Sequence, residues 1–234
     1  MQIKREDLTK EYSNIFFHFD FSQRMELEYD HKSYELTDHT QLPELIEHSK
    51  AKGDYQISKI ANNILAVYET EHQMETYSHT PVMMHMELSS FCDCECMMCK
   101  HCYEKNSDAQ YLSRDKFHEL KQYFAACRIV MINGYGEPFI HPQISEIISI
   151  FETYQVKIFT TTNLQHLPMD SLPKINKVFA RMNVSCDGAC AETYESIRRG
   201  ASFAKFIKNL TILRENCPDV QLFMSVVAMR QNIE

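Results

Sequence analysis

Five cysteines fall within twelve residues in the stretch FCDCECMMCKHC, residues 91–102. Thiols crowded this closely pair as disulfides, hold a structural zinc ion, or ligate an iron–sulfur cluster. The opening MQIKREDLTKEY mixes charges and has no apolar h-region, so a secretory leader is not expected and the cytoplasm is the expected location. A disulfide framework is out of place in that reducing compartment. A zinc site favours two separated C-x2-C pairs, and no second pair follows. Cys96, Cys99 and Cys102 begin a ferredoxin-like run that needs a cysteine at position 106, where Asn106 stands. Cys92, Cys96 and Cys99 form C-x3-C-x2-C, a loop able to wrap three corners of a cubane and leave one iron open. Cys94 and Cys102 are surplus to that spacing and keep a shifted ligand set open. Cys127, Cys186, Cys190 and Cys217 are scattered and read as buried apolar residues.

Three more stretches carry glycine or short polar side chains at regular distances downstream: GYGEP (134–138), TTN (161–163) and SCDG (185–188). Each follows an apolar run that reads as a strand. MHMELSS leads into the cysteines, RIVMING into GYGEP, KIFTTTN ends in TTN, and KVFARMNVSCDG carries SCDG; QLFMSVVAM is a fifth strand. Between them SRDKFHELKQYFAAC, QISEIISIFETYQ and SFAKFIKNLTILREN space apolar residues as helices do, with a short helical stretch near MDSLPKI. Alternating strands and helices predict an α/β fold built of parallel βαβ units, with strands apolar on both faces under a cover of helices. Ligands bind at the carboxyl ends of such strands, and every reactive stretch lies on that edge.

The first 80 residues have a different character. IFFHFDFSQ and MELEYDHKSYEL alternate around a short break, a hairpin signal. QLPELIEHSKAK and DYQISKIANNILAVYETEHQ follow as helices, the second capped by Asp54 after Gly53. SHTPV, residues 78–82, marks the boundary, giving an accessory α+β region at 1–80 and a core at 81–234. Charge divides likewise: residues 1–80 hold 8 basic and 15 acidic side chains, and residues 81–234 hold 16 and 17. A net charge of −8 without a basic stripe argues against a nucleic-acid partner. No apolar run is long enough to span a bilayer.

C-x3-C-x2-C after a first strand, G-x-GEP after a second, TN after a third and S-x-DG after a fourth resemble the radical S-adenosylmethionine (SAM) superfamily. The stretch NVSCDGACAETYESIRRGASFAKFIKNLTIL is particularly similar to members with a C-terminal SPASM or twitch extension. The resemblance covers about residues 83–234. It implies a partial (β/α)6 TIM-like barrel of parallel strands, with Cys92, Cys96 and Cys99 holding a [4Fe–4S] cluster and SAM on its open iron. One electron would split a carbon–sulfur bond of SAM, and the 5′-deoxyadenosyl radical formed would take hydrogen from a substrate. Gly134, Gly136, Glu137 and Pro138 match the motif that binds the SAM amino group. Asn163 corresponds to a residue near the SAM pocket, although Leu164 stands where a glycine is usual. Ser185 matches a SAM-contacting hydroxyl, and Asp187 with Gly188 completes the turn. Arg198 matches an arginine able to meet the SAM carboxylate, with Arg199 as its alternative.

The resemblance also implies an external electron donor such as flavodoxin or ferredoxin, and a peptide, protein or small-molecule substrate. MRQN resembles the end of a fifth strand, so a C-terminally incomplete core is expected. Residues 1–80 read as a cap on the barrel or as a docking module that adds a peptide strand. Two other functions stay open: a non-catalytic iron–sulfur or zinc protein, and a peptide-binding adaptor.

Overall fold

In the structure, a computed structural model, residues 1–12, 18–103 and 108–233 are described. They fall into two compact units. One comprises Met1–Met84, Leu120–Ile129 and Tyr154–Val156; the other comprises His85–Glu119, Val130–Thr153 and Lys157–Glu234.

In the first unit the order is β1 (Gln2–Ile3), α1 (Arg5–Glu11), β2 (Glu26–Tyr29), β3 (Lys32–Glu35), α2 (Leu42–Ala51) and α3 (Tyr55–Glu71). The hairpin forms wholly within MELEYDHKSYEL, where β2 and β3 pair antiparallel. Its turn residues Asp30 and His31 have φ of 48° and 64°, the paired left-handed conformation that matches strand twist. The expected strand in IFFHFDFSQ is not seen over residues 18–23, and residues 15–17 lie outside the described residues. Instead β1 pairs parallel to β2. Asp54 caps α3 as expected, accepting from the Ile57 N–H and taking a two-point ion pair from Arg5 at 2.6 and 2.9 Å. Ile57, Ile60, Ile64 and Leu65 bury one stripe of α3 with Leu27, Leu42 and Leu45. Glu69, also buried, accepts from the Ser78 N–H at 2.9 Å and meets His79 Nδ1 at 2.5 Å. Burial alone would push its carboxyl up, but the hydrogen bonds from Ser78 and His79 bring it down to about 2.

The chain continues through β4 (Met83–Met86), β5 (Glu95–Cys96), α4 (Lys100–Tyr103), α5 (Arg114–Phe124), β6 (Ile129–Ile132), α6 (Ile144–Thr153) and β7 (Lys157–Thr162). Then come α7 (Leu172–Val178), β8 (Phe179–Ser185), α8 (Ala191–Ile197), β9 (Arg198–Arg199), α9 (Phe203–Asn216), β10 (Gln221–Ser225) and α10 (Arg230–Ile233). Five strands make a parallel sheet in the order β10-β8-β7-β6-β4, the singly wound partial barrel expected from alternating elements. Not every strand is apolar on both faces: β6 (IVMI) is, but β8 is not. In β8, Met182 and Val184 are fully buried while Arg181, Asn183 and Ser185 are half-exposed on the opposite side. One face is covered by helices; the other mixes Arg181, Asn183 and Ser185 of β8 with Phe159 and Thr161 of β7 and Phe223 of β10. No described helix is long and apolar enough to cross a membrane.

Candidate cofactor site

The loop after β4 is held in place before it reaches the first ligand-type cysteine. The Phe91 carbonyl accepts from the Glu137 N–H at 2.8 Å. A Cβ on Gly136 would overlap the Ser89 and Phe91 carbonyl oxygens, so only glycine lets the GYGEP loop approach this closely. Further on, β5 pairs antiparallel with β9 in the register Cys96↔Arg198, and the Met97 N–H donates to the Ile197 carbonyl at 3.0 Å. Gly200, with φ of 87°, turns the chain beside the Asp93 carbonyl, which a Cβ would meet at 2.9 Å. The cysteine loop is thus fastened on two sides.

These contacts open a cavity of about 350 Å³, within the range of small-molecule pockets (about 300–1,000 Å³). Cys92, Cys96 and Cys99 line it from the cysteine loop, Gly134, Gly136 and Glu137 from the end of β6, Asn163 from β7, Ser185 from β8, and Arg198 from β9. Pro138 and Asp187 do not reach it. Pro138 is buried at the start of a 3₁₀ turn and follows Glu137 in extended backbone. Asp187 is fully buried behind Arg198, paired with it at 2.6 Å. Of the two adjacent arginines, Arg198 lines the cavity and Arg199 is exposed. Met98, Asn133, Thr161 and Thr162 also line it. Asn133 adjoins Gly134, and Thr161 and Thr162 directly precede Asn163, so adjacency to those residues could have found them.

Glu137 lies fully buried at the floor. Its carboxylate accepts from Thr162 Oγ1 at 2.7 Å, the Asn163 N–H at 2.8 Å and the Phe139 N–H at 3.2 Å. Burial outweighs these bonds and pushes its carboxyl up to about 7. Asn163 Nδ2 donates to Asp93 Oδ1 at 2.7 Å and to Cys94 Sγ at 3.3 Å. Leu164 takes φ of 55° and is buried, a left-handed backbone that a glycine adopts more readily. A hydrogen bond shared with Cys94, and then the charge of Arg198, bring the Cys96 thiol down to about 7.

The residues present suit a cluster with a bound amino-acid group. Three thiols face one space, and neither Cys94 nor Cys102 lines it. Two buried polar atoms at the cavity, Asn133 Oδ1 and Arg198 Nε, lack hydrogen-bond partners. One accepts and the other donates, as an ammonium and a carboxylate would require.

Residues 86–233 match the family model described as Radical SAM superfamily. The chain is 23% identical over 164 residues to the AdoMet-dependent heme synthase of Methanosarcina barkeri, covering 69% of this chain and 46% of that protein. It is 24% identical over 164 residues to the mycofactocin maturase MftC of Mycolicibacterium smegmatis, covering 69% and 41%. Streptococcus suis SuiB bound to S-adenosylmethionine shares the fold with a TM-score of 0.54 and 17% identity, over 83% of this chain and 47% of that one. SuiB has also been solved bound to the precursor peptide SuiA, with a TM-score of 0.54 and 14% identity over 87% and 54%. The chain therefore spans about half the length of these relatives. With a family model over more than half its residues, the chain belongs to the radical SAM superfamily.

Proposed function

We propose that this chain is the core of an enzyme that holds a [4Fe–4S] cluster on Cys92, Cys96 and Cys99 and binds SAM in the adjoining cavity. The observation that carries the proposal is that single cavity, lined together by the three thiols and by the ends of β6, β7, β8 and β9. When bound, these cofactors supply a one-electron cleavage of a SAM carbon–sulfur bond and a carbon radical that removes hydrogen from substrate.

Each surrounding residue has a separate task. Asn133 Oδ1 and the backbone around Gly134 and Gly136 accept from the SAM ammonium. Arg198, oriented by Asp187, donates to its carboxylate. Ser185 contributes a hydroxyl, and Asn163 holds the cysteine loop through Asp93. Asp187 and Pro138 act behind the site by positioning Arg198 and Glu137.

A peptide or protein is the favoured substrate, supported by the maturase names of the relatives and by the SuiB complex with a precursor peptide. Residues 1–80 then form an accessory region and residues 81–234 the core. A flavodoxin or ferredoxin delivers the electron, in the cytoplasmic setting that nine free cysteines and an oxygen-sensitive cluster fit. A second reading, a peptide-binding adaptor, is favoured by the edge position of β3 in its sheet.

Anaerobically reconstituted protein reduced with dithionite is expected to convert SAM to 5′-deoxyadenosine, and Cys92→Ala, Cys96→Ala or Cys99→Ala to abolish the conversion. Cluster-loaded protein that releases no 5′-deoxyadenosine would refute the enzyme. Peptide capture unaffected by all three substitutions, together with no SAM cleavage, would favour the adaptor.

A further inference from the structure

Strand β8 carries an arginine and an asparagine that the cofactor chemistry leaves unused. Ser185 lines the cofactor cavity, so alternation along the strand puts Arg181 and Asn183 on the same concave side. The register extends this face across the sheet. Arg181 is level with Phe159 of β7 and Gln221 of β10, and Asn183 with Thr161 and Phe223. Thr161 also lines the cavity, which makes the face continuous. At about 3.3 Å per residue, Arg181 lies about 13 Å along the strand from Ser185.

The guanidinium of Arg181 is fixed but not neutralised. Its Cζ sits 4.1 Å from the centroid of the Phe223 ring, and its Nε donates to Asn183 Oδ1 at 3.1 Å. Stacking and this single bond set the plane of the fork and leave both Nη groups without a protein partner among the described residues, accessible from the open side. Arg198 has Asp187, whereas Arg181 has no acidic partner among the described residues. In a chain of net charge −8, a half-buried guanidinium on a concave face with no carboxylate of its own is shaped for one from outside.

We propose that Arg181, stacked on Phe223 and oriented by Asn183, is a subsite for a carboxylate on the substrate. Within a peptide that group is an Asp or Glu side chain or the chain terminus. A phosphate is disfavoured, since this face offers one cation and one amide rather than a helix N-terminus or several positive charges. The assignment rests on reading the cavity as the SAM site, which places the substrate on this face.

The probes are glutarate, its neutral diamide glutaramide, and inorganic phosphate, titrated calorimetrically into cluster-loaded, SAM-saturated protein. Saturating SAM occupies Arg198, so the cofactor's own carboxylate site does not report. Glutarate is expected to bind with an affinity that falls with salt, and glutaramide not to bind. Arg181→Met should weaken glutarate about tenfold or more, and Arg181→Lys by less, since an ammonium loses the two-point geometry. Asn183→Asp supplies an internal carboxylate to the same fork and should abolish binding while leaving the arginine in place. Glutarate should also slow labelling of Arg181 by phenylglyoxal, read by mass spectrometry. Equal glutarate binding by wild type and Arg181→Met, absence of binding by wild type, or tighter binding of phosphate than of glutarate would each overturn the proposal. Formation of 5′-deoxyadenosine by the wild type, assayed in the same preparation, tests the underlying reading separately. If it fails while glutarate still protects Arg181, the subsite stands and the enzyme does not.

Discussion

Glu137 shows how a single buried carboxylate can be well hydrogen-bonded and still be unfavourable in its charged form. Three donors reach it, yet full burial holds its carboxyl at about 7. A folded-state value above the unfolded one means stability is greatest below about pH 4.5 and is lost as pH rises through about 7. The loss is on the order of 3 kcal/mol. Urea midpoints of cofactor-free, reduced protein should therefore fall across that window, and Glu137→Gln should remove the slope. The cysteines divide just as sharply. Cys94 is buried beside Asn163 and Cys102 sits on α4, neither on the cavity wall. Cys94→Ser and Cys102→Ser should retain about the full iron and sulfide content of wild type, measured by elemental analysis. Loss of iron in either variant would mean a shifted ligand set.

Among the elements, the shortest strands matter most to the site. The two-residue pair β5–β9 joins the cysteine loop to the arginine, and Gly200 closes the join with left-handed backbone against Asp93. Gly200→Ala is expected to cost about 1–2 kcal/mol in backbone strain and to push the cysteine loop off the cavity. Faster loss of iron to a chelator, relative to wild type, would measure it. In the first unit Glu69 plays the corresponding part for the segment after α3, clamping Ser78 and His79. Its carboxyl is held at about 2, so its contribution is present above about pH 4.5 and disappears as pH falls toward 2. Glu69→Ala leaves the Ser78 and His79 N–H groups without that partner and should cost about 1–3 kcal/mol in the unfolding free energy at pH 7.

At the scale of the whole molecule, β4 and β10 are the edges of the described parallel sheet, and large apolar side chains are exposed in and just after β10. Phe223, Met224, Val226 and Val227 are between 43% and 60% exposed there, an edge of the kind that templates pairing with another chain. Met224→Lys with Val226→Lys is expected to reduce concentration-dependent association in sedimentation velocity while leaving iron content unchanged. Unchanged association would place the contact elsewhere.

Local signals in the chain were enough to determine the parallel α/β core, the Asp54-capped helix and the edge of the sheet on which the reactive residues lie. Each is written in neighbouring residues: alternation, helical spacing, a cap, a glycine after a strand. The thiol triad was legible for the same reason, since its spacing lies within eight residues. Tertiary structure alone decided which arginine faces the cavity, because Arg198 and Arg199 differ only by the register against Cys96, about a hundred residues away. It also decided that Asp187 supports Arg198 rather than lining the cavity, and that Leu164 takes a left-handed backbone. In β8 Arg181, Asn183 and Ser185 alternate with Met182 and Val184 in the sequence itself, a half-buried pattern, but the depth of burial on each side is not written there. That follows only from packing, which buries Met182 and Val184 and leaves Arg181 and Asn183 facing the open side.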